Sequence, residues 1–295
     1  MTIQEFFQTL AKLSTLIFVI TSMAGLGLSL TVSEILTPLK DGKLVFRVLL
    51  ANFVLIPFLG FLLTRIVSLD QSLSAGLLLL ACASGAPFLT KLVQLAKGDA
   101  GLGLGMMVLL MVTTIVYVPI VLPWLLPRIS VNAFAIAKSL VILMLIPLAI
   151  ALFIKSRYPE GAESLQGVMS QASNTSLIAL FVLMLVLNFQ TILATIGTGA
   201  IATMLVFIVG AFAIGYLLAP YSTARSAMGL GTAQRNISAA LVVATENFSD
   251  NPNVLTMIVV GSLLMLGILL PTAGELGKRK STTESSQTTS VTSRR

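Results

Sequence analysis

The sequence predicts an all-α polytopic membrane protein with about nine transmembrane helices, and three observations lead there. The 295-residue chain is 56% hydrophobic and only 10% charged, with a mean hydropathy of +1.00, whereas a soluble domain is about a quarter charged. Its apolar runs are continuous rather than alternating, which excludes a transmembrane β-barrel. They also have the length of a bilayer crossing, roughly 20 residues for a ~30 Å hydrocarbon core.

The spans fall near 13–32, 44–67, 73–96, 100–126, 132–154, 172–193, 198–219, 222–248 and 253–274. The breaks between them carry turn chemistry: Pro38-Leu39-Lys40-Asp41-Gly42, Lys97-Gly98-Asp99, Pro127-Arg128 and Tyr158-Pro159-Glu160-Gly161. The start, MTIQEFFQTLAKLSTLIF, lacks the basic residues and cleavage site of a signal peptide, so the first helix is expected to be retained. Residues 1–274 form the transmembrane unit. The polar, Ser/Thr-rich stretch 275–295 reads as a disordered tail.

Charge placement sets orientation. Twelve Lys and Arg lie on the side of the C-terminus: Lys40, Lys43, Arg47, Lys97, Lys155, Arg157, Arg225, Lys278, Arg279, Lys280, Arg294 and Arg295. Four lie on the other side: Lys12, Arg65, Arg128 and Lys138. By the positive-inside rule the C-terminus is cytoplasmic and the N-terminus outside, in a cell (inner) membrane. The same placement turns the net charge of +7 into a topology signal rather than a nucleic-acid surface. With no His and one Cys (Cys82), a zinc site and an intrachain disulfide are excluded.

Two spans are interrupted. The third holds Ala83-Ser84-Gly85-Ala86-Pro87 at its middle, and Pro87 removes a backbone donor. The eighth carries Gly229, Gly231, Thr232, Gln234, Arg235, Asn236 and Ser238 in an apolar run. Each is second from the end of a four-span group, spans one to four and six to nine. The offset is five spans, and an odd offset makes the groups inverted copies. Paired interrupted helices in inverted repeats point to a transporter's binding site.

These segments resemble the bile acid:sodium symporter family. The stretches that carry the likeness are Met23-Ala24-Gly25-Leu26-Gly27-Leu28-Ser29-Leu30-Thr31, Ala51-Asn52-Phe53-Val54-Leu55-Ile56-Pro57, Ser84-Gly85-Ala86-Pro87 with Leu95-Ala96-Lys97-Gly98-Asp99, and Gln234-Arg235-Asn236. The resemblance implies a panel domain (spans one, five and six) and a core domain (spans two to four and seven to nine) in which two broken helices cross. Carried over by spacing, it also implies oxygen ligands for sodium, and here the chain departs. Asn52 stands where Gln is usual, Leu89 and Thr90 where Ser and Asn are expected, and Gly103 and Met107 where hydroxyl residues are expected. Gly231 takes the place of a Glu and Arg235 that of a Gln. Only Asn52, Thr90 and Asn236 keep a usable polar group as weak sodium candidates.

All eleven acidic residues fall at span ends, in loops or in the tail. The deep ionisable residues are Lys91 and Arg235, and such residues are functional candidates by default. A plainer reading has Lys91 snorkelling toward Lys97, ~9 Å along a helix. The plainer reading for Arg235 is satisfaction of carbonyls freed by the break. The functional reading is electrostatic: half-helix N-termini near the midplane favour an anion, and an Arg fork fits a carboxylate or sulfonate. Gly101, Gly103 and Gly105 suit close helix packing.

The sequence therefore predicts a secondary transporter of a small organic anion working by alternating access, with no cofactor. Lys91, Arg235, Gln234, Asn236, Thr90 and Asn52 are the expected substrate-binding residues. Sodium dependence is expected to be weak. A sodium ion ~5 Å from a guanidinium is repelled by roughly 3 kcal/mol at an effective dielectric of 20. An ordinary sodium:organic-anion symporter and a non-transporting membrane sensor or scaffold remain as alternatives. A membrane enzyme lacks acid–base groups beyond Lys91.

Overall fold

A computed structural model describes residues 3–31, 33–34, 37–126, 132–248 and 251–292. The turn expected at Pro127-Arg128 and the charges of Asp250, Arg294 and Arg295 lie outside them. Among the described residues the regular structure is all helical: α1 Ile3–Ser29, α2 Gly42–Ile66, α3 Gln71–Cys82, α4 Leu89–Leu95, α5 Ala100–Leu125, α6 Ala133–Arg157, α7 Pro159–Ala194, α8 Ala200–Leu218, α9 Arg225–Ala233, α10 Ile237–Asn247 and α11 Pro252–Thr292. Among the described residues, six stretches are long and apolar enough to cross a membrane: Glu5–Ser29, Gly42–Ile66, Ala100–Leu125, Ala133–Arg157, Ala200–Leu218 and Asn253–Lys280.

The acidic residues at helix boundaries have a visible task. Asp41, Asp70 and Asp99 each accept backbone N–H groups in the first turn of the helix that follows, and Asn132 does the same for α6. Such caps satisfy donors that a helix start leaves orphaned.

Proline explains two local departures. Residues Ala51–Leu55 and Val141–Leu145 form single π-helical turns, each just ahead of an Ile-Pro pair, Ile56-Pro57 and Ile146-Pro147. Pro57 cannot bond the carbonyl four residues back. That carbonyl, Phe53 O, instead accepts the Tyr117 hydroxyl at 2.6 Å. The π turn carries Asn52 fully inside the protein.

The third and eighth predicted spans are each two helices. The chain leaves α3 at Ala83 in an extended conformation and passes Gly85 at φ +80° before α4 begins. It leaves α9 at Gln234 and enters α10 at Asn236, both extended. The second break lies later than Gly231, which stays helical. A side chain on Gly231 would run into Met106 and Leu89, so this glycine serves close packing. Around these breaks, α1 packs along α7 and the end of α6, α8 along α9, and α3 along α11. Gly27 allows the α1–α6 approach: a Cβ there would lie 2.6 Å from Leu148 O.

In the polar stretch after Gly274, α11 continues to Thr292. Composition argues against nucleating a helix there, but extending an existing one avoids the nucleation cost. Lys280 anchors its beginning by donating to Lys97 O at 2.7 Å.

Candidate functional site

The two breaks meet. The Asn236 N–H donates to Ala83 O at 3.0 Å, and its side-chain amide donates to Ser84 O and Gly85 O at 3.3 and 3.0 Å. Its Oδ1 accepts Ala239 N–H and caps α10. Thr114 closes the other side of the first break: its hydroxyl accepts Ser84 N–H and donates to Ser84 O. Backbone freed deep in an apolar protein must find such partners.

Arg235 lies between the C-terminal ends of α3 and α9 with no exposed surface. Its Nε donates to Leu80 O at 3.0 Å and its Nη2 to Ala81 O at 2.7 Å, both in the last turn of α3. Its Nη1 donates to Thr232 O at 3.0 Å, at the end of α9, and to Asn52 Oδ1 at 2.9 Å. The planar fork thus bonds four oxygens of the protein, while the residue also forms part of the lining of the adjoining cavity. A cation is favoured at helix C-termini, and two such termini converge on it. Among the described residues no carboxylate lies within ion-pair distance of it.

Asn52 completes the junction. Its Oδ1 also accepts the Ser84 hydroxyl at 2.7 Å, and its amide donates to Val48 O and Thr232 Oγ1. Neutral interhelical bonds in membranes are worth only about 0.6 kcal/mol each, so the charge-assisted bonds of Arg235 dominate this network.

Beside the junction is a cavity of about 380 Å³. Ala86, Pro87, Phe88, Thr90 and Lys91 line it from the first break, and Gln234, Arg235, Ile237 and Ser238 from the second. The opposite wall is α1 and α7, with Thr21, Ser22 and Ser29 on one and Gln166, Ser170, Ser173 and Asn174 on the other. Lys91 is exposed into this space, its Nζ 6.0 Å from the Phe88 ring centroid. Thr90 is half-buried and donates to Pro87 O at 3.1 Å. Gln234 is 1% exposed, and its Oε1 is a buried acceptor with no partner.

A larger space of about 730 Å³ shares Leu26, Ser29 and Thr90 with the first, so the two adjoin. Glu34, Asp41, Asp99 and Tyr221 line it. Thr31 donates its hydroxyl and N–H to Glu34, holding that carboxyl below the usual range. Burial, then the hydrogen bond to Asp41, raises the Tyr221 phenol above its ordinary value.

The structure therefore joins Asn52, Gln234, Arg235 and Asn236 at the junction and puts Lys91 and Thr90 on the cavity wall. Sequence reasoning placed Ser84 and Thr232 in the interruptions without naming them as site residues, and missed Thr114 and the polar face of α7. The spacing of Gln166, Ser170, Ser173 and Asn174, one helical face, was the available signal for the latter.

Comparison with known proteins supplies the family. The sequence pattern of the Sodium Bile acid symporter family matches residues 16–195. The chain is 25% identical over 195 residues to a probable sodium/metabolite cotransporter, BASS3, of Arabidopsis thaliana chloroplasts, covering 66% of this chain and 45% of that protein. It is 22% identical over 242 residues to the chloroplast BASS1 protein of the same plant, also named a probable sodium/metabolite cotransporter, covering 80% and 60%. It is 25% identical over 205 residues to sodium/bile acid cotransporter 4 of Mus musculus, covering 67% and 47%. The matched part is about half the length of these relatives. An all-helical chain with two broken helices meeting at a cavity, matched over more than half its length, belongs to the sodium bile acid symporter family.

Proposed function

We propose that this protein is a secondary transporter moving a small organic anion across a cell membrane by alternating access. The observation that carries the reading is the cavity at the meeting point of the breaks, where Lys91 offers a positive charge and Gln234 Oε1 an unpaired acceptor. A buried acceptor without a partner is costly, and a substrate donor offsets that cost. The substrate is thus an anion that also carries an O–H or N–H group. Arg235, Asn52 and Asn236 hold the frame, and Thr90 forms part of the wall. Helices α1, α6 and α7 act as the panel, against which the remaining helices rock. The adjoining larger space is the exit on the cytoplasmic side.

Uptake of labelled organic anions into proteoliposomes tests this directly. Monocarboxylates bearing a hydroxyl or amide should be taken up, and des-hydroxy analogues less well. Lys91→Gln should weaken anion affinity about tenfold, ~1.4 kcal/mol, with little change in thermal stability. No uptake of any organic anion tried would favour the sensor or scaffold reading.

Nine crossings place the termini on opposite sides. A reporter fused after Arg295 is expected in the cytoplasm and one at Met1 outside. Both on one side would mean an even number of crossings and would remove the inverted-repeat argument.

A further inference from the structure

The family's name implies sodium, and the junction residues can be tested against that ion. Coupling cations in transporters of this kind are held by unwound backbone carbonyls and by half-helix C-terminal ends. Those groups are present: Leu80 O, Ala81 O, Thr232 O and Asn52 Oδ1 form an oxygen cage at the ends of two half-helices. Guanidinium nitrogens already sit at 2.7–3.0 Å from all four. The remaining candidates are each engaged within the chain. Asn236 Oδ1 is bonded to Ala239 N–H, and the Thr90 hydroxyl donates to Pro87 O. Among the described residues no group of three or more acidic, His or Cys side chains could hold a metal ion. Sodium does not fit this junction while Arg235 is there.

We propose that Arg235 is a built-in cation that takes the place of a coupling ion, so that the protein works without sodium and loss of this side chain opens a monovalent-cation site. The chemistry is complete within the chain. The guanidinium bridges α3 and α9 as a bound ion would, joining both half-helices to Asn52 on α2. Being covalently held, it contributes that bridge at every sodium concentration. A sodium ion entering beside it at ~5 Å would bind about a hundredfold more weakly than without it. The inference rests on the transport reading for its uptake arm alone; its stability arm stands on the junction geometry.

The full-length protein, purified in detergent, is to be melted in sodium chloride and in choline chloride at equal ionic strength, as wild type, Arg235→Ala and Arg235→Lys. The wild-type midpoint should be the same in both salts. Arg235→Ala should melt well below wild type and recover by about 5 °C when sodium or low-millimolar methylguanidinium fills the cage. Arg235→Lys should keep much of the stability and stay indifferent to sodium. In proteoliposomes, wild-type uptake should be equal in sodium and in choline. Three results would each overturn the proposal: a wild type stabilised by sodium, strict sodium dependence of wild-type uptake, or an Arg235→Ala protein that neither ion stabilises. Should Arg235→Ala fail to fold in every salt, the proposal stands or falls on the wild-type and Arg235→Lys curves. Absence of all uptake would count against transport while leaving the melting curves to judge the cation.

Discussion

Replacing Gly85 by alanine is expected to remove folded protein altogether. Gly85 sits at φ +80°, a conformation that side chains rarely adopt, and a Cβ there would run into the backbone of Leu110 and Met111. The obstacle is main chain of α5, which cannot swing aside as a side-chain tip could. A non-glycine residue held at positive φ costs about 1–3 kcal/mol, and overpacking adds about 1–3 kcal/mol more. A total on the order of 2–6 kcal/mol rivals the whole stability of many proteins. The break would also lose register, since Gly85 O and Ser84 O are the acceptors for Asn236. Detergent-extracted yield and melting midpoint measure the effect. Gly267→Ala is the matched control: it is helical, with nothing within 4 Å of the added methyl, and should be neutral or slightly stabilising. Normal yield and uptake from Gly85→Ala would mean that the break is shaped differently.

The second large effect is an inverted ranking at Asn236. At an ordinary helix start, Asp caps about as well as Asn, and Ala costs about 1 kcal/mol. Here Asn236→Asp should be the worse of the two. Its second oxygen would face Ser84 O and Gly85 O, where the present amide donates at 3.3 and 3.0 Å. Like partial charges would meet in a buried place, and breaking such a site costs about 3–5 kcal/mol. Asn236→Ala loses the cap to Ala239 and the two amide bonds, about 2–3 kcal/mol by the same accounting. Thermal midpoints of both variants decide it. An Asp variant as stable as wild type would mean that Arg235 had turned from its carbonyls to pair with it, which the cage geometry argues against.

Much of the architecture was legible in the sequence because bilayer solvation writes itself into composition. Lipid demands long apolar helices, so run length alone placed most of the helices. Polar groups at depth are costly enough to announce themselves, so Ser84–Pro87 and Gln234–Asn236 stood out. Short π turns were not legible, since nothing in Ala51–Leu55 differs from α-helix until Pro57 frees a carbonyl that Tyr117 must reach.

What a polar residue does at such a break depends on direction, which the sequence does not hold. Lys91 and Arg235 read alike, as two deep cations near two interruptions. The fold leaves Lys91 exposed on the cavity wall and locks the Arg235 guanidinium onto protein oxygens, because the last-turn carbonyls of α3 and the Thr232 carbonyl of α9 come from residues 150 or so positions apart and meet only on folding. Gly231 read as part of the second break and proved to be helical packing against Met106 and Leu89. Residue type and depth, set by the free energy of burial, were fixed by the chain itself. Which oxygens converge on which donor was decided by tertiary structure, because hydrogen bonds are directional and helix ends find their partners only in three dimensions.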